Sequence, residues 1–333
     1  MPAVAAAAGR SRGLLHPGVV IFCKGNRSLE FALDICQPTG PELRRLALTQ
    51  IDAAQALLNL RTPAMHDAIH EARRAMRRAR AILKLLRPLS GEHHALPTIS
   101  LRDAGAALSG LRDAQAVIEA VEQLARQQDQ PIPENARAAL LRRLQRRRNA
   151  ACRQPSEVLD RVAVLLATAR TAVAAWPGDT GDSDVLKGLR RGYARAARAL
   201  RRARRDPDVH LHRWRQRVRE HRLQLELLQP IWPEVIEAQV GEARRLARLL
   251  GAERDLQLLA AVFARLRTPL VARPGNATLA ARIANERMTL QAQAWTLGAR
   301  VFAERPGALA RRLAAYRKAI PGTDSDRGTR PAA

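Results

Sequence analysis

The chain repeats itself, and that repeat restricts its fold more than any other feature. Aligned at an offset of 142 residues with no gaps, His70 meets His212, Arg73 meets Arg215, Arg77 meets Arg219, Arg80 meets Arg222 and Pro88 meets Pro230. Farther on, LSGLRD at 108–113 meets LGAERD at 250–255. Each copy also carries a seam at intervals of three and four. In the first it is Ile69, Ala72, Met76, Ala79, Leu83 and Leu86; in the second it is Leu211, Trp214, Val218, His221, Leu225 and Leu228. Such spacing lays one stripe along an α-helix and would scatter over both faces of a strand. Chance does not hold register over more than forty residues while keeping the seam in phase, so the expectation is two related helical bundles packed together.

Composition agrees with an all-α fold. Only 3% of the 333 residues are aromatic while Ala, Leu and Arg dominate, which suits amphipathic helices and not sandwiches or barrels. Read in order, residues 1–40 form an N-terminal arm. Its first twelve residues are expected to be disordered, and VVIFC, KGNRS and LEFALDI make either a short β-hairpin or an arm laid over the helical body. Helical patterns follow over 41–60, 66–87, 99–127 and 134–176, with a break near Pro155. WPGDTGDSD at 176–184 is the internal boundary, its aspartates placed to cap the next helix. The expected organisation is thus a first helical half at 41–177, a linker at 178–184, a second half at 185–320 and a disordered tail at 321–333. In the second half, helices are expected over 185–205, from about 209 to 229, over 233–267, to about 304 and to 320. The three cysteines, Cys23, Cys36 and Cys152, encode neither a disulfide framework nor a zinc site. Arg10, Arg12, His16 and Pro17 interrupt any secretory leader, and no run is long enough to span a membrane, so a cytoplasmic protein is expected.

Beside the first seam runs a second row at the same spacing: His70, Arg73, Arg77, Arg80, Lys84 and Arg87, with Arg74 adjacent to it. Another lies at 185–205, where Lys187, Arg191, Arg195, Arg198 and Arg202 flank the seam of Leu186, Leu189, Tyr193, Ala196, Leu200 and Ala203. Between Lys187 and Arg222 there are fourteen Lys or Arg against three acids. Like charges four apart on a helix cost a few tenths of a kcal/mol each. A bound polyanion would offset that cost through charge-assisted hydrogen bonds and counterion release. The net charge of +26 and the preference for arginine, whose planar fork suits phosphate oxygens, point the same way.

Catalysis finds little support in these residues. His66 and His70 share a helical face and His93 and His94 follow, but Asp208 stands where the repeat would place a second His66. Neither HExxH nor paired ExxH motifs occur, so no metal or cofactor is expected. His66-Asp67 is the dipeptide of HD phosphohydrolases, yet adjacent helical positions point about 100° apart and the further ligands are missing. No GxSxG, P-loop or GxGxxG is present. Tyr193 and Trp214 sit on seams, so core packing, not base stacking, is their expected role.

The string HEARRAMRRARAILKLL in the first half and GLRRGYARAARALRRARRDPDVHLHRWRQRVREHRLQLELL in the second, each followed by SGLRD or LGAERD, resemble the CHAD proteins, named for a conserved-histidine α-helical domain. The resemblance runs over about residues 41–320. It implies two antiparallel four-helix bundles related by a pseudo-twofold axis, with a basic surface that binds inorganic polyphosphate and associates with polyphosphate granules. Carried over by position, that role falls on His70, Arg73, Arg77 and Arg80 and on His212, Arg215, Arg219 and Arg222. Two departures stand out: Glu226 occupies the place of Lys84, and Glu220 that of Arg78. The expected function is therefore non-enzymatic polyphosphate binding. Nucleic acid bound by the same surface is the alternative, and a metal-dependent phosphohydrolase a more distant one.

Overall fold

The computed structural model describes residues 31–59, 65–86, 95–126, 134–151, 155–176, 180–264 and 274–320. Among these residues there is no strand, and the helices are α1 (Thr39–Asn59), α2 (Met65–Leu86), α3 (Ala95–Ala107), α4 (Ser109–Arg126), α5 (Glu134–Ala151), α6 (Pro155–Ala174), α7 (Asp182–Arg205), α8 (Pro207–Leu228), α9 (Pro233–Ala264), α10 (Pro274–Val301) and α11 (Pro306–Lys318). The repeat is visible in their bounds. Both α2 and α8 have 22 residues, and they start and end 142 residues apart.

Both seams are core. Ile69, Ala72, Met76, Ala79, Leu83 and Leu86 on α2 are buried, as are all six counterparts on α8, including His221. The seam of α7 is buried as well. These faces join residues of α1, α3, α6, α9, α10 and α11 in one continuous apolar core that includes both halves of the repeat. A smaller core gathers Val117, Val121 and Leu124 of α4, Leu140 and Leu144 of α5, Leu256 and Leu259 of α9, and Leu279 and Ile283 of α10.

Two local readings differ from the sequence expectation. The stretch 99–127 is two helices, not one, interrupted at Leu108, where the Ser109 hydroxyl donates to the Ala106 carbonyl at 2.7 Å and competes with the helical ladder. The matching position on α9 is Gly251, which has no side chain to compete, and α9 runs through without a break. No side chain caps α7: Gly181 is the N-cap, and Asp182, the first residue of the helix, instead accepts from Arg317 Nε at 2.8 Å and from the Thr39 hydroxyl. Arg317 also donates to the Ile35 carbonyl at 3.0 Å, tying α11, the start of α7 and the entry to α1 together. Residues 31–37, the described end of the hairpin candidate, are irregular. Phe31 and Leu33 are buried and the Leu33 N–H donates to the Leu227 carbonyl at 2.9 Å, so this segment lies along the helical body. The remainder of the arm, 1–30, and the tail, 321–333, lie outside the described residues, as does Arg87.

The helix pair α2 and α7 meets at one crowded point. A Cβ at Gly188 would lie 1.9 Å from the Leu85 carbonyl oxygen, which is backbone and cannot move aside. In the core, the buried His221 rests edge-on against Tyr193, with ring centroids 5.1 Å apart, and tilted against Phe302 at 5.6 Å. Burial pulls its pKa from 6.5 down to about 4 although Glu220 opposes the shift, so His221 is neutral in the fold.

Two outcomes follow for stability. Gly188→Ala should lower the thermal midpoint, with overpacking costing about 1–3 kcal/mol, whereas Gly241→Ala on α9, with nothing within 4 Å of its new Cβ, should raise stability by up to about 1 kcal/mol. Equal midpoints for the two variants would contradict the close approach. For His221, the unfolded chain binds the proton more tightly, so stability falls as pH drops from 6.5 through about 4, by roughly 3 kcal/mol in total. His221→Phe should remove this part of the acid sensitivity in urea titrations between those pH values.

Candidate functional site: an arginine row between two repeated helices

The row beside each seam is one step, about 100°, around the helix from the core face. With α2 and α8 packed side by side, that step turns the two rows toward each other. Arg77 and Arg219 form the centre. Burial pulls the pKa of Arg77 down to about 9, with Arg73, Arg215, Arg222 and Arg74 adding repulsion. Burial likewise pulls Arg219 down to about 8, followed by repulsion from Arg215, Arg77, Arg222 and Arg73. A guanidinium keeps its proton at neutral pH even so. Both side chains are partly buried, and the shifts reflect the cost of holding these charges close together with reduced access to water. Among the described residues no carboxylate pairs with Arg77 or Arg219.

The flanking positions are better balanced. Arg222 donates to Glu226 at 2.5 Å, and Arg244 shares that carboxylate at 3.0 Å. Arg73 donates to the Gly105 carbonyl at 2.6 Å, and Arg215 is partly buried beside the central pair. Arg74 is exposed and 3.4 Å from Glu71, and His70, partly buried, lies 3.9 Å from the same carboxylate. His212 is exposed, with a hydrogen bond of 2.8 Å to Gln216.

Arg80 and Lys84 turn the other way, toward Glu220. This buried carboxylate receives Lys84, Arg217 at 2.8 Å and Arg195 at 3.6 Å. Burial alone would raise its pKa, but Lys84, Arg217 and Arg195 together hold it below the ordinary range. Lys84 is itself drawn down by burial, which Glu220 offsets only in part. Three cations converge on one anion, so it is the anion whose charge is overcompensated. Arg80 feels burial first and then the attraction of Glu220, and its buried Nε has no hydrogen-bond partner among the described residues.

The row on α7 does not join the α2–α8 row. Lys187 pairs with Asp184 at 3.0 Å and Arg191 is exposed. Arg195, Arg198 and Arg202 line a cleft of about 250 Å³ together with His210, Arg213 and Arg217 of α8. Those last three escaped the sequence reading. Their signal was present: 210, 213 and 217 have helical spacing too, so α8 carries a second cationic row on its opposite side.

The aromatic seam residues serve the core. Trp214 is fully buried and stacks on Trp295 at 5.0 Å, and the Tyr193 hydroxyl donates to the Val301 carbonyl at 3.2 Å. No group of three or more potential metal ligands occurs among the described residues, and no described helix is long and apolar enough to cross a membrane. The His66 side chain and residues His93 and His94 lie outside what the structure describes.

The family model for the CHAD domain matches residues 45–264, from α1 to the end of α9. The chain belongs to the CHAD family. A crystal structure of the CHAD domain from the plant Ricinus communis is similar in fold, with a TM-score of 0.54 and 20% sequence identity over 90% of this chain and 98% of that one. No curated protein sequence matches. The α2–α8 row and the Glu220 hub of this CHAD domain both lie within the matched region.

Glu220→Gln tests the hub. Removing the charge leaves Lys84, Arg195 and Arg217 gathered without their anion, a loss expected to cost about 3 kcal/mol or more. In wild type this contribution is present above pH 4.5 and is lost as pH falls through the lower folded value, so the variant should lower the thermal midpoint at pH 7 and narrow the gap in strong acid. An unchanged midpoint at pH 7 would contradict the assignment.

Proposed function

We propose that this CHAD domain binds inorganic polyphosphate through the α2–α8 arginine row, without catalysing its turnover, and resides with cytoplasmic polyphosphate granules. One observation carries the reading. Arg77 and Arg219, both partly buried, are held near each other among four further arginines, with no carboxylate paired to either among the described residues. A bound anion would offset this repulsion through charge-assisted hydrogen bonds, and a linear anion with one charge per unit can lie along the whole row. The buried state of Tyr193 and Trp214 supports phosphate over single-stranded nucleic acid, whose binders rely on exposed aromatic platforms worth about 1–3 kcal/mol per base.

The test is the double variant Arg77→Gln/Arg219→Gln. Two charge-assisted contacts are lost, so affinity for long-chain polyphosphate should fall by about a hundredfold. The slope of log affinity against log salt should drop by about 1.5. Without anion the variant should be at least as heat-stable as wild type, because two mutually repelling charges are gone. Unchanged affinity would place the site elsewhere. Displacement of polyphosphate by duplex DNA or RNA at equal phosphate concentration would favour the nucleic-acid reading.

A further inference from the structure

The cleft between α7 and α8 has no part in the row just described, and its chemistry is unusual. Arg195, Arg198 and Arg202 line it from α7, and His210, Arg213 and Arg217 from α8. No acid contributes to the lining. Arg198, Arg202 and Arg213 are exposed, and none is within ion-pair distance of a carboxylate among the described residues. Arg198 and Arg202 are also four apart on one helix, where like charges repel. The inner end, by contrast, is anchored: Arg195 and Arg217 both reach the buried Glu220. The result is a pocket with two fixed guanidinium groups at its base and three unbalanced ones around its mouth.

Its position separates it from the polyphosphate row. His210 and Arg219 are nine residues apart on α8, and nine steps of about 100° amount to two and a half turns, which sets them on opposite sides of the helix. The strongest charged neighbours of Arg77 and Arg219 are Arg73, Arg74, Arg215 and Arg222, and none of these lines the cleft. Glu220 and the α8 backbone stand between the two.

We propose that this cleft is a second phosphate site, which takes a compact run of phosphoryl groups: a free short oligophosphate, or the end of a longer chain. The choice of phosphate as the ligand class rests on the function proposed above; the existence of a separate anion site rests on the cleft alone. At about 250 Å³ the space falls below the roughly 300–1,000 Å³ of pockets that enclose drug-sized ligands. No Phe, Tyr or Trp lines it to receive a nucleobase. Several guanidinium forks converging on a small volume match closely spaced phosphoryl oxygens, which accept paired hydrogen bonds.

The experiment is calorimetric titration of the full chain with sodium tripolyphosphate. Wild type should take up two molecules. Arg198→Gln/Arg213→Gln, which alters exposed side chains only, should weaken the cleft's binding by at least about tenfold and leave the other event intact. Arg77→Gln/Arg219→Gln should do the converse. If the cleft variant gives the wild-type isotherm, the second site is overturned even though polyphosphate binding by the row still stands. If long-chain polyphosphate fails to bind while tripolyphosphate binding remains sensitive to Arg198→Gln/Arg213→Gln, the proposed function falls and the cleft survives. Long-chain polyphosphate with esterified ends separates the sources. Weaker binding of the blocked chain to wild type, but not to the cleft variant, assigns the cleft to chain ends; equal binding of blocked and free chains assigns it to short oligophosphate.

Discussion

Everything in this molecule depends on α2, α7 and α8 burying their seams in one core. The rows of cations lie about one helical step from those seams, so whatever fixes the seams also fixes where the charges meet. Trp214, Val218 and His221 on α8 and Met76, Ala79 and Leu83 on α2 are all removed from water. Gly188 lets the α7 backbone close onto Leu85. Hydrophobic burial is strong and non-directional, and here it works against electrostatic repulsion that the sequence makes no attempt to avoid.

That repulsion is resolved unequally. At the positions where the first repeat has Arg78 and Lys84, the second has Glu220 and Glu226, and each carboxylate collects more than one cation. The counter-charges sit at the edges of the α2–α8 row and leave its middle unbalanced. Arg78 shows another solution, with its guanidinium carbon 4.9 Å from the centre of the Phe31 ring, where the aromatic face supplies a weak counter-field. The two copies of one sequence pattern thereby acquire different electrostatics. Glu220, buried, ties Lys84 of α2 to Arg195 of α7 and Arg217 of α8.

The helical content, the placement of α2 and α8 and the seam residues on three helices were legible because a period of 3.6 leaves a direct mark on sequence. The break at Leu108 was not, since a single serine hydroxyl decides it. Nor was the loss of Asp182 as a cap, because its partner Arg317 is 135 residues away. For the site, the row from His70 to Lys84 could be read, but not that Arg80 and Lys84 would turn to Glu220 while Arg73 reached the Gly105 carbonyl and Arg77 met Arg219. His210, Arg213 and Arg217 were overlooked because the repeat has no counterpart for them on α2.

The sequence alone determined which residues are neighbours along each helix: the seam, the cationic row beside it, and their recurrence 142 residues later. These are local consequences of helix geometry and need no knowledge of what packs where. Only the tertiary structure decided that Arg77 and Arg219 come together partly buried, that Glu220 gathers three cations from three helices, and that α8 presents arginine on both sides. Such facts depend on which helix faces which, and that is set by packing contacts between residues far apart in the chain.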